Sequence, residues 1–338
     1  MKFNKVLSFI LMILILYYMI KIINLKIPKK NDKYKIKIKY LNNKNDIFYK
    51  KMLQLYIDNR EKFYLKGRKF KMKLYGSSFD ESNIITIQDK LNYLLVYDFP
   101  ENKSRYVDKI LLREYSKEIL GKDICVPILK IYNNTDEIDI NELPQKFILK
   151  CNHGSAMNIV CKNKALFNLN HAKQILKNWM NINYGLLGFE YQYLNVKRKI
   201  FAEKYLTDDI IDYKINCFNG EPKFIRVKKH INGANVNNIY DLNWTLTDLD
   251  FNYSDFVRNA SINFSKPINF EKMLKYARLL SSRFIFCRVD FYEVNKTIYL
   301  GELTFAPANI KMKYNNRKTS IYLGSLLNIS QIQKRKNS

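Results

Sequence analysis

The sequence predicts an α+β chain with α/β character, preceded by an N-terminal apolar helix. Three observations lead there. From Val126 onward, short apolar runs alternate with Asn, Asp and Gly, the texture of strands joined by turns. Two stretches among them instead repeat apolar residues at three- and four-residue steps, as half-buried helices do. The chain also opens on an aliphatic run. Its 338 residues, 47% of them hydrophobic, suffice for one large or two ordinary domains.

The opening run covers residues 6–20, broken only by Ser8 and two tyrosines, and is about 22 Å long as a helix. A bilayer core is about 30 Å thick. Extension to Ile27 reaches about 33 Å if Lys21 and Lys26 snorkel to the interface. Cleavage as a signal peptide needs small residues after the apolar run, and there is no Ala, Gly, Ser, Thr or Cys between Ser8 and Gly67. An uncleaved single-pass anchor in the cell membrane is therefore expected. Two lysines precede the run and eight follow it by Lys39, so the body of the protein is expected to face the cytoplasm. Residues 33–40, "KYKIKIKY", fit either a strip on anionic headgroups or a solvated edge strand.

The formal charge of +27 would suit a nucleic acid or an anionic membrane. Lys, however, outnumbers Arg roughly four to one, and Asn, Ile and Tyr are abundant too. That is the usage of A- and T-rich codons, and no nucleic-acid partner is expected. Five cysteines in apolar surroundings show no framework spacing and read as reduced core residues.

Residues 44–75 read as a basic helix ending near Gly67, and residues 108–121 as a helix stopped by Gly121. A boundary is expected near "NELPQK", residues 141–146. The helix at 170–183 buries Ala172, Ile175, Leu176, Trp179 and Met180. A second helix, capped by Asn269, buries Phe270, Met273, Leu274, Ala277 and Leu280.

Two stretches carry candidate chemistry. In "FILKCNHGSAMNIVCKNK", residues 147–164, Cys151 and His153 lie two apart on a strand. They could form a nucleophile and base, join Cys161 and His171 around zinc, or be packing and a hydrogen bond. Lys150 and the polar turn after it could instead grip phosphate. In "FIFCRVDFYEVNKTIYLGELTF", residues 284–305, a hairpin centred on Lys296 puts Asp290 opposite Glu302 and Arg288 opposite Thr304. Opposed β-carbons lie roughly 4.5 to 5.5 Å apart, so the carboxylates repel unless neutralised. A divalent cation would do this, Mg²⁺ commonly taking one or two carboxylates plus substrate phosphates. A structural bridge through Arg288 would serve as well.

The stretch "CRVDFYEVNKTIYLGELTFAP" resembles the metal-binding hairpin of ATP-grasp ligases such as D-alanine:D-alanine ligase. Together with "KLNYL", "YVDK", "REY", "FILKCNHGS", "AEKYL", "DYKINCFNG" and "GELTF", it resembles the TupA-like ATP-grasp family of cell-surface polysaccharide biosynthesis over roughly residues 90–312. The resemblance implies an ATP-grasp fold with nucleotide held between two α+β subdomains. It divides the chain into an anchor with basic flank (1–30), a helical and α-β region (31–140), the ATP-grasp domain (141–320) and a basic tail (321–338).

The resemblance also implies roles. Lys150 contacts phosphate; His153, Gly154 and Ser155 belong to the closing flap. Glu203, Lys204, Tyr205 and Leu206 form the hinge against adenine, with Asp212 at the ribose and Lys214 close by. Asp290 and Glu302 hold Mg²⁺, and Arg288 stabilises the transferring phosphoryl group. The implied activity is an ATP- and Mg²⁺-dependent ligase joining a carboxylate acceptor, small molecule or polysaccharide, to an amine through an acyl phosphate. Phosphoryl or glycosyl transfer in the same pathway, or a tethered scaffold retaining the fold, are the alternatives. Three positions depart from the pattern: Thr304 stands where the ligases usually carry Asn, and Ala156 and Ala308 stand where the family tends to carry Gly.

Overall fold

The computed structural model describes Gln54 and residues 58–249, 251–252, 258–314 and 316–332. The chain divides into two compact units, residues 1–63 and 64–338, and every described strand belongs to the second. The expected span at residues 6–27 and the basic strip at 33–40 lie outside the described residues. Among the described residues no helix is long and apolar enough to cross a membrane. This corrects the expected placement: the described structure gives no support to single-pass anchoring or to a cytoplasmic orientation based on it.

Helix α1 (Arg60–Leu74) continues through Gly67 rather than ending there. The reason is steric. A β-carbon at Gly67 would collide with Tyr191 Oη and the Phe189 ring, so the glycine permits close approach. Helix α2 (Ile87–Tyr97) opens on a capping box in which Thr86 and Asp89 serve each other's backbone N–H. The short α3 (Ser104–Val107) leads to α4 (Leu112–Leu120). The latter starts four residues later than expected because Asp108 turns its carboxylate onto the amides of Ile110 and Leu111. Gly121 ends it at φ 70°, as expected.

Strands β1 (Ile128–Tyr132), β2 (Phe147–Cys151) and β3 (Asn158–Cys161) precede helices α5 (Leu169–Met180) and α6 (Tyr184–Gly188). With β4 (Ile200–Lys204) they form an antiparallel sheet in the order β1-β4-β2-β3. One face buries Phe147, Leu149, Cys151, Ile200 and Ala202, with α5 packed on β2. Lys150 and Glu203 are on the other face.

The second sheet contains β5 (Ile211–Phe218), β6 (Glu221–Ile231) and β7 (Ala234–Tyr240). After the two-residue β8 (Phe251–Asn252) and helix α7 (Phe270–Ser281) come β9 (Phe286–Val294) and β10 (Thr297–Thr304). The order is β10-β9-β5-β6-β7, antiparallel throughout. The two-residue β11 (Lys313–Tyr314) pairs with β8, and α8 (Arg317–Ser325) packs on α2. Asn269 precedes α7, but its side chain does not cap the helix; it donates to Glu293 Oε1 and Lys296 O.

Three hairpins of the larger sheet turn on two residues with positive φ: Asn219–Gly220, Asn232–Gly233 and Asn295–Lys296. Such turns match the twist of the strands they join. The core face carries Ile215, Cys217, Val227, Val289, Phe291, Leu300 and Leu303, covered by Met273, Ala277 and Leu280 of α7. All five cysteines are buried and free.

The β9–β10 register decides which side chains reach the opposite face. Near the turn, Leu300 pairs with Phe291; beyond it, Glu302 pairs with Asp290 and Thr304 with Arg288, with the register shifting at Gly301. The expected pairing is therefore present, but through a two-residue turn plus a bulge rather than a turn centred on Lys296. Without the extra residue Glu302 would lie opposite Val289, among the apolar side chains. A β-carbon at Gly301 would come within 2.9 to 3.1 Å of the Tyr292 ring. Gly301→Val is accordingly expected to lower unfolding free energy by about 1–3 kcal/mol, as chemical denaturation will show.

Candidate active site

The non-core face of the larger sheet is charged. Asp212 and Lys214 stand on β5, Arg226 and Lys228 on β6, Arg288 and Asp290 on β9, and Glu302 and Thr304 on β10. Alternation with period two puts each pair on one side, and the register sets Lys214 opposite both Arg226 and Asp290.

Asp290 lies at the centre, its side chain 1% exposed. Arg288 holds it bidentately, Nε to Oδ1 at 2.6 Å and Nη2 to Oδ2 at 2.7 Å, while Lys214 Nζ reaches Oδ2 at 2.6 Å. Burial alone would raise the carboxyl, but Arg288 and Lys214 outweigh it and hold Asp290 well below the usual carboxylate range. Burial likewise opposes the Arg288 charge, and Asp290 more than restores it. Arg288 Nη2 also donates to Glu302 Oε1 and Thr304 Oγ1, each at 3.1 Å, and Thr304 Oγ1 donates to Glu302 at 3.2 Å. Lys214 additionally reaches Asp212 at 3.2 Å.

The smaller sheet faces this surface with Lys150 paired to Glu203. Lys109 lies between charges of the two sheets: its ammonium donates to Gly154 O, in the turn between β2 and β3, at 2.7 Å. Burial pulls its pKa down, against the attraction of Glu302 on one sheet and Glu203 on the other, with Lys150 adding repulsion. The backbone repeats the connection, since Leu300 N donates to Ile124 O at 2.8 Å and Lys204 N to Pro127 O at 2.9 Å.

The structure thus brings together Lys150, Glu203, Asp212, Lys214, Arg288, Asp290 and Glu302. Gly154 sits beside them, packed so closely that a β-carbon would lie 2.8 Å from Tyr184 Cδ2. Exposed Ser155 shares a hydrogen bond with Tyr184. Lys204 is exposed, and Tyr205 and Leu206 are half-buried at the strand end.

His153 does not face the charged surface. It is buried, and its Nε2–H donates to Trp179 O at 3.1 Å. Burial pushes its pKa down to about 4, and that of the Cys151 thiol up to about 12, so neither a thiolate nor an imidazolium is available for nucleophilic chemistry. Among the described residues no group of three or more His, Cys, Asp or Glu could hold a metal, which removes the zinc reading.

Three residues of the charged face were not singled out from sequence: Lys109, Arg226 and Lys228. Lys109 ends the "YVDK" stretch. Arg226 and Lys228 reach that face through a bulge: the Asn219–Gly220 turn alone would set Lys214 opposite Ile225, and the register shift between Asn216 and Cys217 sets it opposite Arg226.

The model of the TupA-like ATP-grasp family matches residues 89–328. The chain belongs to the TupA-like ATP-grasp family. No curated protein matches it. Among solved structures it is similar to D-alanine–D-alanine ligase from Helicobacter pylori, at 20% identity over 66% of this chain and 61% of that one, TM-score 0.36. It is also similar to the ADP complex of PurK, an N5-carboxyaminoimidazole ribonucleotide synthetase, at 13% identity over 60% and 46%, TM-score 0.37. This chain thus spans about half to three fifths of those proteins.

Ala156 and Ala308 lie at φ 59° and 49°. Both occupy the left-handed region, which costs a residue with a β-carbon about 1–2 kcal/mol and which glycine adopts without that cost. Ala156→Gly and Ala308→Gly are each expected to raise unfolding free energy by about 1 kcal/mol, measured by denaturant titration. His153 makes a second prediction. A base whose folded pKa is depressed lends stability above its unfolded value near 6.5 and loses it toward about 4. Wild type should weaken across that window, and His153→Gln should show a shallower slope there.

Proposed function

We propose that the protein is an ATP-dependent carboxylate–amine ligase, working through an acyl phosphate in the biosynthesis of a cell-surface or capsular polysaccharide. The ATP-grasp ligase superfamily is established by the family match, and ATP-grasp ligases as a class join carboxylates to amines. The observation that supports the phosphoryl-transfer step is the convergence of Lys109 and Lys150 from one side with Lys214, Arg288, Asp290 and Glu302 from the other; the polysaccharide role rests on the family resemblance. Phosphoryl transfer asks a protein for positioning and charge neutralisation, and this surface offers little else.

In this reading adenine lies against residues 203–206 and the ribose at Asp212. Lys150, Lys109 and Lys214 take phosphate oxygens. Asp290 and Glu302 are two carboxylates on adjacent strands, and such a pair completed by phosphate oxygens is a donor composition that fits Mg²⁺. When bound, the ion supplies neutralisation of phosphate charge. Arg288 stabilises the phosphoryl group as it passes from ATP to the acceptor carboxylate, leaving ADP. The amine then attacks the acyl carbon, phosphate departs, an amide forms and one proton is released.

A second reading, a fold retained without the reaction, is favoured by one observation: both Asp290 oxygens are already held by cations. The two readings separate in one assay. Purified protein with Mg-ATP, a uronate and an amino acid should release ADP. Asp290→Asn and Glu302→Gln should each slow that release about a hundredfold or more. Wild-type rates in both variants would sink the metal assignment, and absence of any ATP-induced thermal shift in wild type would favour the second reading.

A further inference from the structure

Helix α1 lies ahead of the family-matched segment 89–328, yet one of its side chains reaches the loop that follows the site strand β10. Arg68 is completely buried. Its Nε and Nη2 donate to Asn92 Oδ1 at 2.9 and 2.6 Å, and its Nη1 donates to Asn309 Oδ1 at 2.6 Å. Longer bonds of 3.3 and 3.4 Å reach Phe189 O and Asn309 O. Asn309 passes the connection on, donating from Nδ2 to Gly188 O at 2.6 Å.

These acceptors are all neutral. Burial pulls the Arg68 pKa down, while Tyr191 and Glu190 offset part of that through space. A buried charge held this way is costly, and a lysine could not reach the same set of oxygens, because only the guanidinium presents its donors in a rigid fork. The cost is matched by what the fork secures. Ala308, Asn309 and Ile310 follow one another at φ 49°, 54° and 60°. Asn tolerates that region, whereas Ala and especially a β-branched Ile do not. The segment starts just past Glu302 and Thr304, and Glu190, two residues from Gly188, feels the Glu302 charge. Clamp, loop and Glu302 therefore share one end of the site.

We propose that Arg68 is a positioning residue for the acceptor end of the site. From a helix outside the family-matched segment it locks Asn309 against the Gly188 turn, and so holds the left-handed loop that closes the site behind Glu302 and Thr304. The acceptor assignment rests on the ligase reading; the clamp stands on the hydrogen bonds alone.

The test uses the full chain and the variants R68K, R68Q and R68Q/A308G. Hydrogen exchange without nucleotide reads the clamp at the amides of Asn309 and Lys311, which donate to Ala306 O and Ala308 O. In R68Q these amides should exchange at least tenfold faster while β9 and β10 stay protected. R68K should fall between R68Q and wild type, and A308G should restore part of the protection. With Mg-ATP, glucuronate and alanine as probes, R68Q should lower kcat for ADP release at least tenfold and leave KM for ATP within twofold. Unchanged loop exchange in R68Q would overturn the clamp. Equal loss of protection in β9 and β10 would show a general stabilising role instead. Faster loop exchange with unchanged kcat would overturn the acceptor role. A wild-type chain that binds no Mg-ATP would remove the ligase reading and the acceptor role with it, while faster loop exchange would still establish the clamp.

Discussion

The buried ion pair between Arg288 and Asp290 is the constraint around which the rest of the molecule is arranged. A carboxylate with 1% of its side chain exposed can remain ionised only with cations in contact, and removing one partner of such a pair typically costs about 3–5 kcal/mol. Arg288 and Lys214 supply them from β9 and β5. Holding these groups in register demands the antiparallel order of the larger sheet. Its other face must then be apolar, and α7 covers it. The charged face in turn needs polar company, which the smaller sheet provides through Lys150 and Glu203, with Lys109 between the two.

The same pair bears on function. The cations that now hold Asp290 are the kind of partner a triphosphate would take, so in the proposed ligase nucleotide binding would exchange anionic partners within a prebuilt charge lattice. Prebuilt donors cost little reorganisation during phosphoryl transfer. The lattice also accounts for the depressed Asp290 carboxyl, which stays ionised throughout the physiological range.

Much of this was legible in the chain because strand alternation and turn chemistry are local. The period-two placement of Arg288 and Asp290, the αL stop at Gly121 and the apolar stripes of α5 and α7 follow from residues a few positions apart. The Glu302–Asp290 pairing was reached through a different turn: the two-residue turn shifts the ladder by one and the Gly301 bulge shifts it back, and a bulge leaves no mark in sequence beyond a glycine. Other features depend on distant partners and were not legible. Gly67 reads as a helix stop, yet it is there for Tyr191 and Phe189, more than a hundred positions on. That His153 makes a hydrogen bond is one of the readings the sequence offers, but its partner, the carbonyl of Trp179, lies 26 positions on. Arg68 looks like one more basic residue of a surface helix until Asn309, 241 positions away, is placed beside it.

The most direct measurement is a crystal structure of the protein with Mg²⁺ and a non-hydrolysable ATP analogue. The account predicts one triphosphate contacted by Lys150 on one sheet and by Lys214 and Arg288 on the other, with a metal ion on Asp290 and Glu302. An analogue bound elsewhere, or bound while Asp290 keeps both its Arg288 and Lys214 contacts and no metal touches it, would contradict the account.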